Sequence, residues 1–268
     1  MKTKRKTGKI FYHVIVCGLG LVMIYPLVWM VMSSFKETNT IFLTAGQLIP
    51  EKFVLSNYTN GWKGFAKITF ATFFKNSLFI AVAATLGTVF SSALVAYGLA
   101  RCRFFGRRAL FVAMLLSMML PAQVLMIPQY LWYQKLGWVG SYKPLILPYC
   151  FAIQGFFVYM MINFIDGIPR ELDEAAKIDG CSYYGIFSRI IMPLISPALI
   201  TASIFSFMWR WDDFLSALLY INESAKYPVS LALKLFCDPG SSSDYGAMFA
   251  MATLSILPAV IIFICLQK

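Results

Sequence analysis

Few side chains in this chain could do covalent or metal chemistry. Its 268 residues include one histidine, six cysteines and twelve acidic residues. His13 stands among Phe11, Tyr12 and Val14 with no carboxylate beside it, a setting for an interfacial ring rather than a metal ligand or proton shuttle. The cysteines (Cys17, Cys102, Cys150, Cys181, Cys237 and Cys265) form no CxxC pair, and three lie in apolar runs. They read as small apolar packers, not as a disulfide framework or a zinc site. No HExxH and no GxSxG occurs, and no GxxxxGK[ST] phosphate loop. A membrane enzyme built on those motifs is excluded, and so is ATP binding through a phosphate loop of this chain.

Charged residues gather instead in two places. The first runs from Ile168 to Pro197. Pro169 suits the first turn of a helix, and Glu171, Asp173 and Glu174 then fall where the helix dipole favours anions. Leu172, Ala175, Ala176 and Ile178 supply small or apolar contacts before Gly180, a natural helix stop. A short helix with paired alanines and a carboxylate would let another surface approach closely, which makes it a docking knob for a partner or a plain interfacial helix. The second place is Arg210, Trp211, Asp212 and Asp213, beside Trp209. Ionisable groups at membrane depth are costly and face a cavity or a partner. Carboxylates and aromatic faces suit sugar hydroxyls and rings. A satisfied Arg–Asp cluster near the interface is the other reading.

The elements that position these clusters follow from composition. Hydrophobic residues make up 59% of the chain, charged residues 13%, and mean hydropathy is +0.71. A soluble domain is closer to 45–50% apolar. Apolar runs at about 11–33, 76–100, 109–130, 144–164, 195–219 and 245–266 are each long enough to cross roughly 30 Å of hydrocarbon as a helix. They do not alternate as barrel strands do. The expected fold class is therefore an all-α membrane protein with six transmembrane helices. The first run is too long for a signal peptide's apolar region and is read as a retained span. The net charge of +11 is spread around the ends of the runs, where lipid and loop bias account for it better than nucleic acid does. Short connections carrying Arg101, Arg103, Arg107, Arg108, Arg170, Lys177 and Arg189, with the basic N-terminal tail, favour N-in/C-in. The 168–197 segment then lies on the cytoplasmic side. Pro26, Pro121, Pro128, Pro197 and Pro258 lie within or at the edges of spans and would kink them.

One pattern narrows the class. Glu174-Ala175-Ala176, Gly180, Ile190 and Met192-Pro193 stand at the spacing of the EAA loop, and the sequence resembles the permease subunits of ABC importers. Where the family usually has leucine this chain has Met192. The likeness extends to Asn76-Ser77-Leu78, to Ala96-Tyr97-Gly98-Leu99-Ala100-Arg101, and to Pro121-Ala122-Gln123 followed by Ile127-Pro128. Asp179 and the run from Trp211 to Leu215 are typical of the carbohydrate-uptake branch, with the MalG-type maltose permeases as the nearest type. Glycerol-phosphate permeases share that branch.

The resemblance implies a division at residues 1–75 (basic tail, first span and long outer loop) and 76–268 (the conserved transmembrane module). It implies a bacterial-type plasma membrane, a second homologous permease, two ATPase subunits that hold ATP and Mg, and an extracytoplasmic solute-binding protein. This chain would bind no cofactor or metal and would not be the enzyme. Glu174, Ala175, Ala176, Asp179, Gly180 and Pro193 would form the ATPase-coupling loop. Arg210, Trp211, Asp212 and Asp213 would line the substrate pathway. Tyr220, Asn222, Asp238 and Ser242 lie in the loop that would meet the binding protein. A secondary transporter would show inverted repeats and more intramembrane acids, and neither is present. An amino-acid importer lacks the Asp179 and 211–215 features.

Overall fold

A computed structural model describes residues 2–65, 67–237 and 243–266. Among them the secondary structure is helical apart from one isolated bridge between Phe65 and Ile68. The chain divides into two compact units, Met1–Ala71 with Leu233–Leu257, and Thr72–Ala232 with Pro258–Lys268.

In the first unit, α1 (Lys2–Ser33) carries an apolar stretch, Tyr12–Ser33, in which no residue of the most apolar window is buried. Only its last turns are held. Trp29 Nε1 donates to the Ala45 carbonyl, and its ring meets Phe249 edge-on. The following segment carries Lys36, which is buried and donates its ammonium to the carbonyls of Thr44 and Gln47. Asn57, in α2 (Ser56–Lys63), donates to the carbonyls of Ser34 and Lys36. A buried cation thus finds backbone acceptors instead of a counter-ion, and the long loop is ordered around it.

The second unit is built on α3 (Phe70–Arg101), 32 residues long and continuous. Small side chains recur on its buried side: Ala81, Ala84, Ser92, Ala93, Ala96 and Ala100. In lipid, small residues let neighbouring backbones come close, because apolar tails offer no hydrophobic drive of their own. A Cβ on Gly87 would meet Cys150 Sγ at 2.6 Å and the Cys150 backbone at 3.2 Å. The core joins Ala93, Ala96 and Tyr97 of α3 to Phe157, Val158 and Met161 of α7 (Gly155–Asp166). It continues through Ile186, Ile191 and Ile195 to Ala198 and Ala202 of α11 (Ser196–Trp211).

The remaining runs are not the unbroken helices the hydropathy predicts. The third is split into α4 (Arg107–Met119) and α5 (Ala122–Lys135), bent by 105°. Leu120 is extended because Pro121 forbids it the helical region, and Pro121 has no N–H with which to continue the ladder. The fourth begins as α6 (Lys143–Ile146), tightens to a 3₁₀ turn over Leu147–Phe151, turns left-handed at Ala152 (φ 51°) and resumes as α7. Ser91 of α3 supports that break: its hydroxyl donates to the Tyr149 carbonyl and accepts the Ala152 amide. Broken backbone at membrane depth is tolerated where protein supplies the missing partners. The fifth run ends at Trp211 and restarts as α12 (Phe214–Tyr220), because the Asp213 carboxylate caps the new helix by accepting from Ser216 N. The last run is α13 (Tyr245–Leu266), as expected from the sequence. Among the described residues, four segments are long and apolar enough to cross a membrane, and six if each bent pair counts as one span.

Candidate functional site

The first candidate site is the loop between α7 and α11. Its helix α8 (Glu171–Ile178) carries Glu171, Asp173 and Glu174 in the first turn and Lys177 in the last, matching the macrodipole at both ends. The helix closes with a nested pair of bonds. Cys181 N donates to the Ala176 carbonyl and Gly180 N to the Lys177 carbonyl, with Gly180 at φ 81°. This is the left-handed C-cap for which glycine is preferred. Nothing lies within 4 Å of a Cβ added there, so backbone conformation and not space demands the glycine. The C-cap is secured from inside by Ala176 and Cys181, which both join the hydrophobic core.

Asp173 and Ala176, three apart, face that core. Glu174, Ala175 and Asp179 face outward, as do Leu172 and Ile178, the latter 87% exposed. The alanine pair is therefore divided: Ala175 belongs to the outer surface, whereas Ala176 is packed inside. Exposed Tyr183 and Tyr184 extend the outer patch, and Lys177 Nζ lies 5.2 Å from the Tyr183 ring centroid. Past Ser182, which caps α9 (Tyr183–Ile186), the backbone widens to a π turn over Phe187–Ile191. It then passes through α10 (Met192–Leu194) and bends by 76° into α11. Pro193 is exposed next to this bend.

Sequence reasoning missed the residue that seats α8. Arg101, the last residue of α3, is buried with Asp173, their Nε and Oδ2 3.3 Å apart. Its Nη2 donates to the Ile165 carbonyl at 2.8 Å and also to that of Ile168. No local signal marks the pair, because the arginine ends an apolar span and its acid lies 72 residues further along the chain, on the inner face of α8.

The second candidate site is a cavity of about 690 Å³. Three helix interruptions converge on it: Leu120 and Ala122 from the third run, Ile153 and Gln154 from the fourth, and Arg210 and Asp213 from the fifth. Arg210 Nη1 donates to Asp213 Oδ2 at 2.8 Å and to the Tyr149 hydroxyl, and its guanidinium lies 4.3 Å from the Tyr149 ring centroid. Asp213 thereby pairs with Arg210 and caps α12 at once. Trp209, Gln123 and Gln129 complete the polar and aromatic wall. The two glutamines were legible as amides in apolar runs but were not singled out for a role.

The expected pathway residues separate. Arg210 and Asp213 line the cavity. Trp211 is 4% exposed and stacks on Phe207 in the packing, and exposed Asp212 does not line the cavity. In the expected binding-protein loop, Tyr220 is buried against Tyr130 and Tyr133 and borders the cavity, whereas Asn222 is exposed. Asp238 and Ser242 lie outside the described residues. The described part of this loop is pinned by the Asn76-Ser77 pair. Asn76 Nδ2 donates to the carbonyls of Ala225 and Tyr227, and Ser77 Oγ accepts from Val229 N.

Comparison with known proteins agrees with this geometry. Residues 92–268 match the family described as the binding-protein-dependent transport system inner membrane component, and the chain belongs to it. It is therefore an inner-membrane permease subunit by class. The probable ABC transporter permease protein YurM of Bacillus subtilis is 34% identical over 92% of this chain and 81% of its own. The trehalose/maltose transport system permease protein MalG of Thermococcus litoralis is 30% identical over 93% and 89%. A chain of a bacterial ABC transporter involved in importing the acidic polysaccharide alginate superposes with a TM-score of 0.84. It is 25% identical and matched over 100% of this chain and 98% of its own.

Proposed function

We propose that this chain is one of two permease subunits of an ATP-driven importer, and that the solute is a sugar or oligosaccharide delivered by an extracytoplasmic binding protein. The chain crosses the membrane six times with both termini inside. Two separate ATPase subunits hold ATP and Mg and bind the outer face of α8 through Glu174, Ala175 and Ile178. A second permease completes the pathway. ATP binding brings the ATPase subunits together and carries the coupling helices with them. The equilibrium moves only because ATP binds the closed arrangement better.

The observation that carries this reading is the outward face of α8, charged at Glu174, apolar at Ile178 and rigidly capped at Gly180. The cavity supports a sugar. Its amides, hydroxyls and rings match hydroxyl-rich, flat-faced guests. A phosphate ester suits the wall less well, because Asp213 already neutralises Arg210 at 2.8 Å.

Affinity purification of the chain in mild detergent, with mass spectrometry of what accompanies it, tests the assembly. Recovery of a second permease and an ATPase, with the ATPase lost on Glu174→Lys, is the expected outcome. A chain that emerges alone, or an ATPase indifferent to Glu174→Lys, overturns the docking assignment.

A further inference from the structure

Arg101 does more than end a span. Its side chain joins three elements of the second unit: α3, to which it belongs, the end of α7 through the Ile165 and Ile168 carbonyls, and α8 through Asp173. Both charged side chains are nearly solvent-free, at 4% and 11% exposure. At that burial neither charge is stable alone, so removing one partner leaves the other uncompensated. The pair is also single-handed. Arg101 Nε and Asp173 Oδ1 make no hydrogen bond, while Nη2 is given to the carbonyls at the α7 end. A two-pronged Arg–carboxylate contact fixes orientation as well as distance. A one-pronged contact fixes distance and leaves α8 able to tilt about Asp173 Oδ2.

We infer that Arg101 and Asp173 form a transmission latch, positioning residues through which displacement of the coupling helix pulls on α3 and α7 together. The inference rests on the docking role proposed for α8, and it concerns the opposite face. Glu174, Ala175 and Ile178 meet the partner outside, while Asp173 and Ala176 hand the motion inward. Because α3 and α7 share a core through Ala93, Phe157 and Val158, and the Phe157 ring lies 5.2 Å from that of the cavity-lining Trp209, a pull on the latch reaches the cavity.

The test uses the whole complex, purified with whatever subunits accompany the chain, in a background without native cysteines. One cysteine replaces Gln123 in the cavity wall, and its maleimide labelling rate is read with and without Mg-ATP plus vanadate. With Asp173 intact, nucleotide changes the rate. In Asp173→Asn, which keeps size but removes the charge, the nucleotide effect falls roughly tenfold, within the ordinary range of a coupling constant, while the ATPase still copurifies. Asp173→Glu restores the effect, since a longer carboxylate still reaches Arg101. Arg101→Lys loses it as Asp173→Asn does, because a single ammonium cannot serve the carboxylate and two carbonyls in a fixed fork. A merely structural role would lower thermal stability and leave the nucleotide response of the assembled complex intact; that result, or Asp173→Glu behaving like Asp173→Asn, overturns the latch. Glu174→Lys separates the two claims. If it releases the ATPase while Asp173→Asn keeps a full response, the latch falls and docking stands; if it releases nothing, docking falls and takes the latch with it.

Discussion

Replacing Gly180 by alanine isolates one backbone angle. At φ 81° an L-residue is in the left-handed region, which costs roughly 1–2 kcal/mol. Alanine recovers part of this, about 0.4–1 kcal/mol, by lowering the entropy of the unfolded segment. A net loss of about 1 kcal/mol remains, and no steric contribution enters, because nothing lies within 4 Å of the new Cβ. A shift of that size raises the open population of the α8 C-cap about fivefold. The amide of Cys181 reports it directly, since its bond to the Ala176 carbonyl closes the cap. Hydrogen exchange of the detergent-purified complex should therefore show Cys181 exchanging about fivefold faster in Gly180→Ala. Asparagine tolerates the left-handed region better than alanine does, so Gly180→Asn should exchange at close to the parental rate. Equal acceleration in both variants would mean that side-chain space matters after all, and no acceleration in either would mean that the cap does not hold the helix end.

Substitutions at two further positions address the cavity wall and its support. Asp213→Asn leaves Arg210 without its counter-charge but keeps an acceptor for Ser216 N, whereas Asp213→Ala loses both; the alanine variant should be less stable by a further ~1 kcal/mol, the worth of a cap, read as a lower melting temperature by differential scanning fluorimetry in detergent. Ser91→Ala orphans the Ala152 amide and one contact to the Tyr149 carbonyl; a cost of about 1–3 kcal/mol should appear as faster exchange confined to residues 149–155, and Ser91→Thr, which keeps the hydroxyl, should recover most of it.

How far these features were legible in the sequence depends on whether their causes are local. The helix α8 was legible, from Pro169 through the early acids to Gly180, because capping and dipole effects act within a turn. Its inner face was not, since burying Asp173 makes sense only once Arg101, distant in the chain, is known to sit beside it. The final span, 245–266, matched its hydropathy run, but the third, fourth and fifth did not. Hydropathy averages over a window and cannot register a left-handed Ala152 supported by a serine from another helix. The inward placement of Trp211 carried a readable sign. Ala198, Ala202 and Ser206 recur every fourth residue on the buried face of α11, joined by Phe207 and Trp211. Trp211 stands four residues after Phe207 and shares its buried side, whereas the step of four from Ala198 leads on to Arg210 at the cavity.

If the cavity takes the solute as proposed, the convergence of three helix interruptions on it bears on how such a chain can change its diet. Where a helix stops, amides and carbonyls near its ends are released from the ladder. Main-chain groups cannot be deleted by a codon change. The outline of the cavity is therefore set where three helices break, with a replaceable lining of Gln123, Gln129, Gln154, Tyr149 and Trp209 laid over those breaks. Swapping one of these retunes the fit to a guest while the frame keeps its shape. Relatives of one architecture can diverge in cargo by exchanging a few lining residues, and a designer seeking a new cargo should leave Pro121, Ser91 and Asp213 alone and begin with the glutamines.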